Sequence, residues 1–291
     1  MAIKIWAGSD GAWSTAGNWS PSGVPTNSDD VYIEDSSQGI TSGLGQSAVT
    51  LASLNIGQSF TGEIGDATTY LDIGATICNV GYSKGFGSPA GSARIKIDLG
   101  TIASTCTIHN TGSTPTDANL GAVQLLADQA STDIQIKKGK VTIAGSGSET
   151  ATFDKLIVSY DTSKASDANV TLGPGVDIAS IDQLGGKVNN YSNSAAAAIE
   201  VTGGTHTIEG SGAVTALTAD GGTVTASGTG TITTAKAKSG GVIDWTKSDK
   251  PRTVTNTQLD ANGTLKISDV VTYTNGIVTN EKQLDTSATA V

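Results

Sequence analysis

Four pairs of adjacent glycines recur at an almost fixed spacing in the second half of this 291-residue chain. The pairs begin at Gly185, Gly203, Gly221 and Gly240, so one unit takes about 18 residues. A fixed period of this size is the sequence signature of a repeat architecture, in which every repeat is one small structural unit. The glycine pairs therefore divide this part of the chain into units that are too short to fold separately.

Short alternating segments follow each glycine pair, and they predict β-strands. These segments are KVNNY, THTIE, TVTAS and VIDW, and two of the units continue with a second strand, VTAL or ITTAKA. The pattern continues more loosely in TLKIS and IVTN, near the C-terminus. β-Branched residues at alternating positions are typical of half-buried strands. One segment, SNSAAAAIEV from Ser192, suggests a helical turn instead.

A unit of about 18–22 residues cannot bury its own apolar side, but stacked units pair each strand with those above and below. We therefore predict an all-β fold, a parallel β-helix (β-solenoid) with about 18–22 residues per rung. Helical repeats are excluded because no segment keeps an apolar stripe of helical period. β-Propellers are excluded because one blade needs about twice this period, and leucine-rich repeats are excluded because leucines do not recur at fixed positions. An elongated two-sheet sandwich is the alternative.

Composition excludes several classes of function. The formal net charge is -10, with 17 basic and 27 acidic residues, which argues against a nucleic-acid partner. The densest basic run, Lys137-Lys138-Gly139-Lys140, is interpreted as a solvated turn. No apolar run is long enough to span a membrane, so we predict no membrane partner. The N-terminus lacks the apolar core of a secretory signal, so we expect synthesis in the cytoplasm without secretory export.

Three of the four tryptophans lie close together near the start of the chain, at Trp6, Trp13 and Trp19. Large flat side chains can cover the apolar end of a solenoid, while Pro25 and nearby glycines turn the chain over it. These four residues are therefore the candidate cap or contact residues. The alternative is an aromatic shelf that binds sugars.

This opening segment also carries a resemblance. The pattern W-x-G…W…NW…G-x-P-x(3)-D-D-V, from Trp6 to Val31, resembles the segment that opens many predicted β-helical proteins. These occur among bacterial autotransporter-like surface proteins and among structural proteins of tailed bacteriophages. The next stretch, from Val49, is similar to the phage type. The resemblance implies a β-helical virion protein, such as a capsid decoration (cement) protein or a fibre-like appendage, often a homotrimer.

We find no pattern that indicates catalysis. Glycoside hydrolysis needs two carboxyl groups about 5–10 Å apart, but the acids of the repeat region share no repeat position, which favours solvated turns. They are Asp177, Asp182, Asp220, Asp244 and Asp260. His109 and His206 are predicted on alternating strands without catalytic partners, and Cys78 and Cys106 as small buried hydrophobes. Neither cysteine has the spacing of metal ligands. From the acids, histidines and cysteines together we expect no bound metal, no cofactor and no catalytic residue.

The expected organisation is an N-terminal cap over 1–46, a β-helix over 47–280 and a polar tail over 281–291. We expect a non-enzymatic virion protein, most simply a capsid decoration protein that binds the major capsid protein or another virion protein as a homotrimer. A receptor- or glycan-binding β-helical adhesin or tail appendage is the alternative, followed by a polysaccharide-degrading β-helix enzyme. The looser C-terminal rungs, from Thr264, are either the C-terminal cap or the trimer contact, and the cap is preferred.

Overall fold

A computed structural model describes residues 1–82, 94–110, 122–145, 147–159, 168–248 and 250–280. The described chain is all-β, with about ten turns of parallel β-solenoid and a single short 3₁₀ helix, Ala16–Asn18. The prediction of a parallel β-helix is confirmed. The predicted tail, 281–291, lies outside the described residues.

The described residues form twenty-four strands in one continuous sheet. They are β1 (Ile3–Trp6), β2 (Trp19–Ser20), β3 (Asp30–Ile33), β4 (Gly45–Gly57), β5 (Leu71–Tyr82), β6 (Ile95–Asp98), β7 (Thr105–Ile108), β8 (Val123–Leu126), β9 (Asp133–Ile136), β10 (Gly139–Ile143), β11 (Ala151–Val158), β12 (Ala168–Leu172), β13 (Val176–Gln183), β14 (Lys187–Asn190), β15 (Ala196–Val201), β16 (Thr205–Ile208), β17 (Val214–Asp220), β18 (Thr223–Ala226), β19 (Ile232–Lys238), β20 (Val242–Asp244), β21 (Arg252–Asp260), β22 (Thr264–Lys266), β23 (Val271–Tyr273) and β24 (Ile277–Asn280).

The strands stack in parallel columns that form three faces. Face A contains the even-numbered strands from β6 to β22. The odd-numbered strands from β11 to β21 bend in the middle, so their first halves form face B with β23. Their second halves continue face C, which begins with β1, β3, β4, β5, β7 and β9 and ends with β24. The thirteen described strands of face C make a rod roughly 60 Å long at about 4.8 Å per strand.

The length of one turn varies along the rod. Where the glycine pairs recur, Ile181, Ile199 and Leu217 are register partners in successive turns, so one turn takes about 18 residues. The predicted period therefore holds in this central part. Earlier turns are about half as long again, since Cys78 pairs with Cys106. The inward positions nevertheless stay in register across this change of turn length.

Inward side chains form continuous columns along the rod. On face A the column includes Ile64, Ile95, Val123, Val141, Val170, Val188, Val224 and Ile243, all buried. Each buried aliphatic side chain of this size contributes about 1.5–3 kcal/mol relative to full exposure. Because the interior is only one side chain deep from each face, it holds few large residues. This geometry accounts for the aromatic content of 4%.

The glycine pairs form the corner between face C and face A. Gly186 and Gly204 have φ values of 73° and 74°, a left-handed conformation that disfavours other residues. A Cβ atom on Gly204 would lie 2.0 Å from the carbonyl oxygen of Gly186, in the turn below. The recurring glycines therefore serve both the sharp corner and the close approach of neighbouring turns.

The segment from Ser192 is a strand, so the expected helical turn is wrong. Ala196–Val201 forms β15, and its residues pair in parallel with β13 and β17 on either side. Alanine favours helices in isolation, but here each neighbouring turn offers a strand edge that satisfies the backbone. Tertiary pairing overrides the local propensity.

The parallel column already includes strands of the predicted cap. β1 pairs in parallel with β3, and β3 pairs in parallel with β4. On its other side β1 pairs antiparallel with β2, which ends the column at the N-terminus. An antiparallel strand at this position covers the backbone groups that an open edge would expose.

Candidate functional site

The tryptophans of the opening segment form one cluster inside the N-terminal end of the rod. The ring centroids of Trp13 and Trp19 are 4.7 Å apart, and those of Trp6 and Trp19 are 5.1 Å apart. Both pairs meet edge to face, with interplanar angles of 69°, a favoured geometry for aromatic rings. The three indoles are 0–2% exposed and belong to the hydrophobic core.

Hydrogen bonds fix two of these rings. The Trp19 Nε1–H donates to the carbonyl oxygen of Trp13 at 2.8 Å, and the Trp6 Nε1–H donates to the carbonyl oxygen of Gln38 at 3.0 Å. A Cβ atom at position 8 would lie 2.1 Å from the Trp6 ring, which explains the glycine of the W-x-G pattern. Pro25, the fourth candidate residue, is also buried.

The polar residues of the opening pattern stabilise its turns through hydrogen bonds between side chains and the backbone. The side chain of Asn18 donates to the carbonyl oxygen of Ala12 at 2.8 Å and accepts from the amide of Ser9 at 3.1 Å. The Asp29 carboxylate accepts from the amides of Ala2 at 2.7 Å and Thr26 at 3.0 Å. Burial alone would raise the pKa of Asp29, but these hydrogen bonds outweigh it and the pKa is lowered.

This geometry has a direct consequence for binding. A sugar-binding shelf requires exposed aromatic faces, whereas all three indoles are closed to solvent. The structure therefore brings Trp6, Trp13 and Trp19 together as packing residues, with Pro25 buried in the same segment. The alternative of an aromatic shelf on these tryptophans does not fit their burial.

Four of the five acids considered from the sequence lie on strands and form ion pairs with lysines of an adjacent turn. Lys155 contacts Asp182, while the other pairs are Lys238–Asp220 at 2.9 Å, Lys236–Asp260 at 2.6 Å and Lys266–Asp244 at 3.0 Å. Their expected position in solvated turns is therefore wrong. Asp177 is exposed on β13. These pairs join one turn to the next, and paired carboxylates of this kind are poorly suited to general acid catalysis.

The histidines and cysteines have environments that differ from one another. His206 is fully buried on β16, and its Nδ1 lies 2.9 Å from Oε1 of Gln183. His109 follows the end of β7, half-buried, with Nε2 3.3 Å from Oδ1 of Asn79. Cys78 and Cys106 are buried, as their apolar patterns predicted, and they are unoxidised. They are also register partners on adjacent turns. The hydrogen bond with Cys78 and burial raise the pKa of Cys106, which keeps its thiol protonated.

A polar cluster on face A was missed by the sequence patterns, because its members are distant along the chain. The Tyr70 hydroxyl donates to Oε1 of Glu149 at 2.8 Å, 79 residues away. The Lys96 ammonium lies 4.7 Å from the Tyr70 ring centroid and donates to the carbonyl oxygen of Ala67 at 2.9 Å. Lys96 is only 4% exposed, and burial lowers its pKa. These contacts fasten the connection that precedes β5 onto face A.

Two carboxylates lie next to this cluster. Asp72 and Asp98 are register partners on β5 and β6, so their backbones are separated by about 4.8 Å. Burial and the neighbouring Asp98 charge raise the pKa of Asp72. A carboxyl pair in which one member holds its proton more tightly is the arrangement that acid-base hydrolysis uses.

Among residues 1–82, 94–110, 122–145 and the later described ranges, no group of three histidines, cysteines or acids could hold a metal ion. In the same part of the chain, no helix is long and apolar enough to cross a membrane. No family model matches the chain, and no curated protein or solved structure shows significant similarity to it. The fold therefore defines the structural class of the protein, which is a parallel β-solenoid whose N-terminal end is closed by tryptophans.

Proposed function

We propose that this protein is a non-enzymatic structural protein of a tailed bacteriophage virion, most simply a decoration (cement) protein that binds the major capsid protein. The observation that carries the proposal is the role of the opening pattern, whose tryptophans pack inside the rod end. The same pattern carries the resemblance to phage β-helical proteins. A rod that closes one end with its opening segment is suited to occupy space and present its sides to a neighbour.

The outward chemistry of the rod supports a structural role. Lysines and aspartates of adjacent turns are paired along faces A and C, which occupies charges that a hydrolase would need free. Partly exposed pairs such as Lys155–Asp182 and Lys238–Asp220 contribute little stability each, about 0–1 kcal/mol. In this proposal the chain is made in the host cytoplasm, joins the virion and acts as a homotrimer.

Capsid binding tests the proposal. Expanded capsids of the encoding phage, stripped of accessory proteins, are mixed with the purified chain and sedimented, with serum albumin as a non-binding reference. We expect saturable co-sedimentation at a fixed ratio of this chain to the major capsid protein. Co-sedimentation no greater than that of albumin would contradict the decoration assignment.

A second candidate function, cleavage of a polysaccharide, is favoured by one observation, the stacked pair Asp72 and Asp98. The two residues are register partners one strand apart, and the raised pKa of Asp72 suits a proton donor. The test is release of new reducing ends from host polysaccharide, compared between the wild-type chain and Asp72→Asn. Activity that disappears in this variant would establish the enzyme, and equal background rates would reject it.

A further inference from the structure

A polar groove runs along the corner that follows face C. Its lining residues come from turns that lie above one another, and its volume is about 600 Å³. The lining residues are Gln58, His109, Asn110, Gln135, Lys137 and Lys138. From β4 to β9 the groove spans three strand spacings, roughly 14 Å along the rod. A volume of this size lies within the usual range of ligand sites in proteins.

Two lysines of this groove have no acidic partner among the described residues. Lys137 is half-buried and Lys138 is exposed, and neither forms an ion pair with a described carboxylate. Glu34, an acid on the same corner one turn below Gln58, is 7% exposed and accepts a hydrogen bond from the Tyr82 hydroxyl at 2.6 Å. It is not among the groove's lining residues. In a chain of net charge -10, two consecutive lysines without an acidic partner among the described residues favour an anionic ligand.

Two of the other lining groups, Gln58 and His109, are held in place by neighbours. The side-chain amide of Gln58 donates to the carbonyl oxygen of Gly81 at 2.8 Å, which leaves its oxygen available to accept. Asn55 and Asn79 form an amide ladder at 2.9 Å, and Asn79 in turn contacts His109. Burial and the charge of Lys137 lower the pKa of His109, so its imidazole is neutral near pH 7.

This combination identifies a class of ligand. Side-chain amides and a neutral imidazole both donate and accept hydrogen bonds, which matches sugar hydroxyls. Ammonium groups match a carboxylate or sulfate on the same sugar. We infer that the corner groove is a binding site for an anionic oligosaccharide, with Lys137 and Lys138 holding its acidic group. The inference does not rest on the virion assignment, because binding is a property of the isolated chain.

The experiment is a titration of the full chain with trigalacturonate, using maltotriose as the neutral sugar and hexaglutamate as the acidic peptide. We expect trigalacturonate to bind, with affinity that falls as salt rises, and maltotriose to bind more weakly. The double variant Lys137→Gln/Lys138→Gln should weaken trigalacturonate binding about tenfold or more. Its melting temperature should stay within experimental error of wild type, since Lys138 is exposed and neither lysine is paired with a described acid.

The matched control is Lys236→Gln/Lys238→Gln, which removes the same charge from lysines that are paired with Asp260 and Asp220. It should leave the affinity for trigalacturonate within about twofold of wild type, since the two sites share no residue. Equal losses in both double variants would overturn the inference, because binding would then follow net charge alone. Absence of trigalacturonate binding, or hexaglutamate binding as tight and equally dependent on Lys137 and Lys138, would also overturn it.

Discussion

His206 lies inside face A, in register between Val188 and Val224. A polar ring at an aliphatic position needs a partner, and Gln183 provides one at 2.9 Å. Gln183 is itself fully buried, and its amide donates to the carbonyl oxygens of Gly186 and Thr205 at 3.1 Å each. Burial lowers the pKa of His206 to about 3, so the ring is neutral in the folded protein.

This burial predicts an acid-sensitive stability. An unfolded histidine has a pKa of about 6.5. Below that pH the unfolded chain binds a proton at His206, whereas the folded chain does not bind one until the pH approaches 3. Its contribution is therefore fully present above pH 6.5 and is lost as the pH falls toward 3, at up to about 1.4 kcal/mol per pH unit. We expect Gln183→Val/His206→Val, which matches the neighbouring valines, to flatten this slope in denaturant unfolding measured from pH 7 to pH 4.

His109→Gln is the control for this experiment. Its ring is half-buried, and its pKa is lowered by burial and by Lys137, so it contributes in the same direction but less. The control should keep most of the acid slope. A double valine variant with the wild-type slope would show that the slope comes from other groups, such as carboxylates.

At the scale of the elements, the glycine corners make a prediction about neighbouring turns. Gly204→Ala forces a Cβ atom to within 2.0 Å of the Gly186 oxygen and also requires a left-handed alanine. We expect a loss of about 2–4 kcal/mol, measured as a lower denaturant midpoint, because both strain and overpacking oppose the change. Gly45→Ala is the control, since nothing lies within 4 Å of its Cβ direction. Equal midpoints for the two variants would contradict this account of the corners.

The tryptophan cap makes a second prediction at this scale. Trp13 is 0% exposed and packs edge to face against Trp19. Trp13→Ala should destabilise the chain by about 3–5 kcal/mol, and it should increase association because it opens the rod end. Thermal unfolding and light scattering of the same samples measure the two effects. Tyr191→Ala, at a 38% exposed ring, should change neither, and a stable, unassociated Trp13 variant would show that the cap lies elsewhere.

The sequence predicted the elements that repeat and missed the contacts that do not. Glycine pairs and alternating strands fix a short period, so β14, β16, β18 and β20 fall where the segments predicted them. The strand from Ala196 was missed, because alanine carries no strand signal without its neighbouring turns. The Tyr70–Glu149 contact and the corner groove join residues from different turns. Because the turns differ in length along the rod, no fixed spacing in the sequence shows which residues of different turns lie next to each other.

At the scale of the whole molecule, the two ends of the rod differ in their edge strands, although both expose aliphatic side chains: Ile3 and Ile5 on β1 are 56% and 41% exposed. The N-terminal end is closed by β2 and the buried indoles. Near the other end, Ile267, Ile277 and Val278 are 59%, 40% and 54% exposed, and β24 pairs with β21 alone among the described strands. Exposed aliphatic side chains next to a strand edge favour association between chains. These residues favour a role for the C-terminal turns as the contact between chains in the proposed homotrimer. From the sequence alone, the other role, a C-terminal cap, is preferred.

Mass measurement in solution tests this contact. Size-exclusion chromatography with light scattering should give three times the 29.2 kDa mass of one chain. Ile277→Ser/Val278→Ser should shift the species toward the monomer, because each exposed aliphatic side chain contributes part of the buried contact area. Ile77→Ser is the control, since it removes a 46% exposed isoleucine from β5, the fourth strand of face C, and should leave the trimer intact. A monomeric wild-type protein would contradict the trimeric decoration protein, but it would leave the solenoid and its groove unaffected. A trimer that persists in the double variant would place the contact between chains on a side face of the rod.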